Sequence, residues 1–322
     1  MSSAVPTGDA ALFDEVIGKL RRSPRMLPTK LFYDARGAAL FEQITTLPEY
    51  YPTRVESEIL HAHGSDIAAW VGADAHVIEF GSGSGEKTRL LLEHLETPAE
   101  YLPIDIAASQ LQAFASSLRA EFPDLQVHPI VGDYTRGVRV PPVPDTAGRT
   151  VVFFPGSTIG NFEPDDARVF LRRAAQLAGS GAGLVIGVDL KKDVAILERA
   201  YNDSAGVTAA FNLNILQHVN RLFAGTFDMS SFRHHAFYGA EHGRVEMHLV
   251  STAAQQATLT GPDGRRETIE LEAGEHIVTE YSYKYDVEEF VALAGSAGFM
   301  WRQTWTDAAR MFADIAFEVQ DG

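Results

Sequence analysis

Three glycines at alternate positions, Gly81, Gly83 and Gly85, link the apolar run His76–Phe80 to Glu86–His94, which is patterned as an amphipathic helix. Strand, glycine turn and helix form the opening half of a nucleotide-cofactor βαβ unit. Glycine is needed there because a Cβ would obstruct both the turn and the approach of a cofactor to the backbone. Asp105 follows Gly81 by about two dozen residues at the end of the next predicted strand, where an acidic residue accepts from ribose hydroxyls. Asp133-Tyr134 closes a third strand and suits adenine, with a carboxylate for the exocyclic amine and a ring for stacking. In folds of this kind ligands bind outside the carboxyl ends of the strands. The segment from Gly156 to Asn161, after the fourth predicted strand, is therefore expected beside the transferable group.

Two other fingerprints nearly match the glycine turn. Both the dinucleotide pattern G-x-G-x-x-G and the phosphate-loop pattern G-x-x-x-x-G-K-[ST] require glycine where Glu86 stands. A carboxylate there repels phosphates. A cofactor with a cationic centre and no phosphates tolerates acidic neighbours, and S-adenosylmethionine meets that description. Glu79, two residues before the first glycine, suits the same reading. Taken alone, the motif also fits an ordinary strand-turn-helix with a glycine-rich connection.

The elements that must position these residues alternate. Helix is predicted over residues 10–22 after a disordered start at 1–9. Residues 30–60 are dense in aromatics, including Tyr33, Phe41, Tyr50 and Tyr51, and Pro52 predicts an extended loop over 49–53. Strands at 76–80, 101–104, 127–131, 150–154 and 182–190 alternate with helices at 86–94, 107–121 and 165–177, a doubly wound pattern. Helices at 193–203 and 205–223 precede strand-like runs at 232–239, 244–252, 257–260, 268–272 and 278–285, which short antiparallel turns can join. Helix 287–297 and strands 299–305 and 311–319 then return to the first pattern, with an antiparallel last strand. The expected fold class is α/β, a class I (Rossmann-like) core with a second α+β substrate-binding domain. The core is assigned to 55–191, completed by 286–322, and the second domain to 1–54 and 192–285.

Length and composition bound the partners. A chain of 322 residues with 45% hydrophobic and 22% charged residues suits about two globular domains. A formal charge of -16 and the lack of any basic run argue against nucleic acid as partner. With no cysteine, disulfides, thiolate metal sites and cysteine nucleophiles are excluded. The 11 histidines form no H-E-x-x-H pattern, and His234-His235 would point to opposite faces of a strand, so no metal site is expected. Neither a signal peptide nor a membrane span is read, and the chain is expected to be a cytoplasmic monomer.

Five segments resemble one known family: KLFYDARGAALFEQITTLPEYYPTR, EFGSGSGEKT, GSTIGNF, RAYNDSAGVTAAFNLN and TEYSYKY. They lie in order along nearly the whole chain and are similar to the histidine-specific N-alpha-methyltransferases of ergothioneine biosynthesis. The resemblance implies transfer of three methyl groups from S-adenosylmethionine to the α-amino group of L-histidine, giving hercynine. It implies that Gly81, Lys87, Asp105, Asp133 and Tyr134 contact the cofactor, and that Tyr50, Gly156, Asn161, Tyr201, Glu280 and Ser282 contact histidine. Tyr33, Phe41 and Met247 would line the site, although Met247 also reads as core. The alternation Tyr281, Tyr283, Tyr285 around Ser282 departs from the actinobacterial pattern and bears on selectivity.

The chemistry of these residue types agrees. Methyl transfer from a sulfonium is an in-line displacement, so catalysis consists mainly of positioning a neutral amine. A proton must leave before each transfer, and Tyr33 or a water is the candidate acceptor. Aromatic walls from Tyr33, Phe41 and Tyr50 suit a growing trimethylammonium. An amide such as Asn161 can bond both the carboxylate and the amine of an amino acid, and it can also cap a helix at 163–166. Glu280 and Ser282, two apart on a strand, share a face and can read two imidazole nitrogens; the competing reading makes them a surface charge and a solvent-facing hydroxyl. Rival functions are N-methylation of another amino acid such as tryptophan, a non-catalytic S-adenosylmethionine sensor, and phosphate-loop hydrolysis, which Glu86 opposes.

Overall fold

The computed structural model describes residues 6–83, 85–141 and 148–320. Ser84 of the glycine turn and residues 1–5 of the start expected to be disordered lie outside them. The chain forms two compact units. One comprises Met1–Tyr51 with Lys192–Ser282, the other Pro52–Lys191 with Tyr283–Gly322.

The second unit is built on an eight-stranded sheet. Its strands run in the order Phe299–Thr306, Phe312–Val319, Gly183–Asp189, Thr150–Phe154, His76–Phe80, Glu100–Asp105, Gln126–Val127, and Ile130–Val131 also pairs with Glu100–Asp105. Pairing is parallel from Gly183–Asp189 onward, whereas Phe312–Val319 is antiparallel to both its neighbours. Within this sheet the chain enters at His76–Phe80, steps outward through Glu100–Asp105, and then returns to the other side at Thr150–Phe154. Strand order therefore reverses between His76–Phe80 and Thr150–Phe154, which is where such sheets bind ligands. Every residue of His76–Phe80 is buried, and so is every residue of Gly183–Asp189. Strands inside a parallel sheet are buried on both faces, which is the pattern of these two.

Gly85 sets the turn into the helix Glu86–His94. Its φ is 71°, in the left-handed region, and a Cβ there would stand 1.9 Å from the Phe114 ring. Gly85→Ala is expected to cost about 2–3 kcal/mol, since backbone strain and ring displacement both act. Urea denaturation of the purified variant measures this loss.

The first unit holds a four-stranded sheet in the order Arg25–Met26, His276–Tyr283, Arg244–Ser251, Phe232–Gly239, together with the hairpin Gln255–Thr260/Arg266–Leu271. The helix Val207–Leu222 is tied to three of these strands through the buried Asn212. Its Nδ2 lies 2.9 Å from His234 Nδ1 and donates to the His248 carbonyl at 3.0 Å, while its Oδ1 accepts from Thr279 Oγ1 at 2.7 Å.

Local expectations are corrected at four places. Residues 49–53 are not an extended loop, because the helix Tyr51–Val71 begins at Tyr51 with Pro52 in its first turn. Proline is tolerated there because the first N–H groups of a helix have no partner within it. A second helix, Ala35–Thr45, lies in the aromatic segment where no helix was expected; Asp34 caps it by accepting from Gly37 N at 2.7 Å. The single strand expected at 127–131 is two short pieces, Gln126–Val127 and Ile130–Val131, flanking Pro129, which has no N–H to give a ladder. Finally, Thr7 and Gly8 are not disordered, since both backbone N–H groups bond the Leu222 carbonyl.

Candidate active site

The residues expected to hold the cofactor all fall in the second unit. Gly81 follows the carboxyl end of His76–Phe80, and a Cβ on it would meet the Tyr134 hydroxyl at 3.6 Å. The Tyr134 ring packs against Phe80, Phe154 and Phe170 with centroids 5.5, 6.0 and 6.0 Å away. Phe80 and Phe154 end the two strands at which the order reverses. Burial raises the Tyr134 hydroxyl above its ordinary range, and the Asp105 and Asp133 carboxylates add to the effect, so the phenol stays neutral. Asp105 accepts from Ala107 N through Oδ1, and its second oxygen suits a ribose hydroxyl. Asp133 accepts from Thr135 N through Oδ1 and caps the turn Tyr134–Arg136.

Carboxylates around a neutral phenol, with the exposed Glu86 in the first helical turn, do not suit phosphates. They do fit a nucleoside carrying a sulfonium. S-adenosylmethionine thus fits the chemistry of this set.

Lys87, Gly156 and Asn161 belong to the same unit. The Lys87 ammonium is ion-paired with the buried Glu56, which also accepts from Gly156 N through both oxygens at 2.9 Å. Ser157 Oγ accepts from Asp189 N at 2.8 Å, fixing the far side of that turn. Asn161 ends the turn Thr158–Asn161 and does not cap the following helix: Pro164–Ala178 has Glu163 at its N-cap position, with no side-chain cap bond. Glu79 is turned inward, its Oε2 accepting from Tyr101 OH at 2.6 Å and Thr88 Oγ1 at 2.7 Å. That carboxylate is held among buried core side chains.

The first unit gathers the remaining candidates. Tyr33 and Phe41 meet edge to face at 5.9 Å, and Phe41 meets Tyr50 at 6.2 Å. Phe211, from the helix Val207–Leu222, contacts both Tyr33 and Phe41 at 6.1 and 5.9 Å and stacks on Phe32 at 4.5 Å. Tyr33 is 41% exposed while Phe211 is buried, so the cluster has a floor and an open rim. Tyr51, in contrast, is core: its hydroxyl accepts from Lys192 Nζ at 2.8 Å, and that ammonium lies over its ring.

Tyr201 OH donates to Ser282 Oγ at 2.8 Å, and both residues are buried. Ser282 is therefore not a solvent-facing strand position. Glu280, two residues earlier on His276–Tyr283, is half-buried. Met247 is core, at 2% exposure. Tyr281, Tyr283 and Tyr285 are all buried; Arg244 lies over Tyr281 at 3.4 Å, and the rings of Tyr283 and Tyr285 stack at 6.4 Å.

Several supporting residues had no signal in the sequence beyond type. His234 Nε2 lies 2.9 Å from the Tyr201 carbonyl, while its Nδ1 faces the Asn212 amide. Since the amide donates, Nδ1 accepts, and the ring is the neutral Nε2–H tautomer bonding to Tyr201. Burial lowers the His234 pKa and favours that neutral form. Asn212, Phe211 and Asn214 all lie within RAYNDSAGVTAAFNLN, but which face of the helix they occupy is settled only by packing. Among the described residues no group of three or more His, Asp or Glu side chains can hold a metal ion, and no helix is long and apolar enough to cross a membrane.

Comparison with known proteins gives a consistent picture. The family model described as histidine-specific methyltransferase, SAM-dependent, matches residues 12–319. The histidine N-alpha-methyltransferase of Mycolicibacterium smegmatis is 40% identical over 313 residues, covering 96% of this chain and 95% of its own. Ergothioneine biosynthesis protein 1 of Neurospora crassa is 31% identical over 301 residues, 88% of this chain and 32% of its own. A 4-dimethylallyltryptophan N-methyltransferase of Aspergillus fumigatus is 30% identical over 325 residues, covering 96% and 93%.

Proposed function

The chain belongs to the family of histidine-specific, S-adenosylmethionine-dependent methyltransferases, and from that premise we propose the product and the roles of its residues. It is an enzyme that methylates histidine with S-adenosylmethionine as donor. The product we infer is the α-N-trimethylated betaine, hercynine, on the route to ergothioneine, made from free L-histidine by a cytoplasmic monomer. The single observation that carries the substrate reading is the buried Tyr201–Ser282 hydrogen bond on the strand that also bears Glu280.

A hydroxyl that accepts from Tyr201 serves as donor to an imidazole nitrogen, while the Glu280 carboxylate accepts from the N–H of the other. Tryptophan offers no second ring nitrogen. One of these polar groups would then stay unpaired, at about 1–3 kcal/mol. Asn161 and the turn at Gly156 take the amino-acid carboxylate and amine. S-adenosylmethionine supplies a methyl group made electrophilic by its sulfonium. Starting from the ammonium form, histidine gives up one proton for each of three transfers. Tyr33, at the open rim of the aromatic cluster, accepts or relays these protons. Phe41, Tyr50 and Phe211 line the amine's surroundings and attract its positive charge as methyl groups accumulate.

Mass spectrometry after incubation with S-adenosylmethionine tests this directly, with histidine and tryptophan offered together. Gain of three methyl groups on histidine is expected. Faster turnover of tryptophan would overturn the roles given to Glu280 and Ser282. Accumulation of only monomethylated histidine would overturn the trimethyl product.

A further inference from the structure

Two carboxyl groups in the second unit are completely buried a short way from one ammonium. Glu56, on the helix Tyr51–Val71, and Asp314, on the strand Phe312–Val319, each have 0% exposure. Glu56 is packed from four sides. Lys87 from the helix Glu86–His94 pairs with it, and Gly156 N donates to both of its oxygens. Gly187 leaves the room it occupies, since a Cβ there would stand 2.1 Å from Glu56 Oε1. Asp314 is the residue directly opposite Gly187 in the sheet register. Glycine in the middle of a strand marks a close approach by another group; here that group is the Glu56 carboxylate.

The charge count identifies the state of the pair. One ammonium cannot balance two buried carboxylates, and an ionised Asp314 would leave both of its oxygens buried without a hydrogen-bond partner. A protonated Asp314 donates to Glu56 instead and removes the surplus charge. Burial and the adjacent Glu56 both hold the Asp314 carboxyl far above the usual range, in agreement.

We propose that Glu56 is a positioning residue of the methyltransferase, whose single charge, kept single by a proton on Asp314, fixes Lys87 and the Gly156 turn as one unit. Lys87 lies just after the glycine turn, and Gly156 lies at the carboxyl end of the neighbouring strand across the point where strand order reverses. One buried carboxylate therefore sets the spacing between the cofactor side and the acceptor side of this unit. The inference rests on the reading of Lys87 as a cofactor contact.

The test is a double-mutant cycle read by calorimetric titration of S-adenosylmethionine into the purified full-length enzyme. Glu56→Gln keeps the shape and removes the charge. It is expected to weaken cofactor binding about tenfold or more, and to cost less than about threefold once Lys87→Met is already present, because the two act as a unit. Equal losses in both backgrounds, or no loss in either, would overturn the positioning role. Unchanged cofactor affinity in Lys87→Met alone would instead overturn the reading of Lys87 as a cofactor contact. An infrared spectrum supplies a readout that does not depend on the folding of Glu56→Gln. A protonated-carboxyl band is expected at pH 9 in the unmodified enzyme and not in Asp314→Asn, whereas identical spectra would remove the shared proton.

Discussion

Glu280→Ala is expected to raise the KM for histidine about 30-fold or more, while the dissociation constant for S-adenosylmethionine moves less than about twofold. The magnitude follows from removing a charged acceptor from a half-buried position, where its imidazole N–H partner would be left without a bond. The asymmetry follows from chain organisation. Glu280 belongs to the first unit, on His276–Tyr283, whereas Gly81, Asp105, Asp133 and Tyr134 belong to the second. Steady-state kinetics with calorimetric titration of the cofactor separates the two effects. Comparable losses of both affinities would make Glu280 a structural residue and leave imidazole reading to Ser282 alone.

Glu79→Gln is expected to change how stability depends on pH. Glu79 is 1% exposed, and burial pushes its carboxyl up to about 7 against the hydrogen bonds from Tyr101 and Thr88, which act in the opposite direction. The folded state therefore holds a proton that the unfolded chain releases near the ordinary glutamate value. The stability associated with that proton is fully present below about pH 4.5 and is lost as pH rises through about 7. A glutamine cannot ionise and carries no such loss. Relative to the unmodified protein, the variant should gain about 3 kcal/mol between pH 4.5 and pH 8. Urea unfolding at those two pH values measures it, and a stability difference that stays constant with pH would show that Glu79 is ionised throughout. The effect is one of the core, since both partners of the carboxylate, Tyr101 and Thr88, are themselves buried.

Much of the second unit was legible because its signals are local. A fully buried strand, glycines with positive φ and an amphipathic helix are each properties of a few consecutive residues, and His76–Phe80 and Glu86–His94 match the pattern residue for residue. The family was legible for a different reason: long segments such as KLFYDARGAALFEQITTLPEYYPTR carry side-chain identities and not only periodicity. Inside that same segment the local rules misjudged the backbone. Pro52 argued for an extended Tyr51, but a proline in the first turn of a helix sacrifices no hydrogen bond, and nothing in the sequence says whether Tyr51 starts a helix or precedes one. Asp34 caps the helix through Gly37 N and also accepts from Asn214, 180 positions away in the chain, a partner no local rule can supply.

By itself the sequence determined the alternation of the core and, through the long family segments, the class of cofactor and the kind of reaction. Tertiary structure decided which of those residues are held and by what. It buried Ser282 under Tyr201, turned Glu79 inward, placed Phe211 beneath Tyr33 and Phe41, and set Glu56 over Gly187 with Asp314 opposite. The physical reason is range. Backbone conformation answers to neighbours within a few residues, whereas the protonation, orientation and exposure of a side chain answer to whichever groups folding brings against it from elsewhere in the chain.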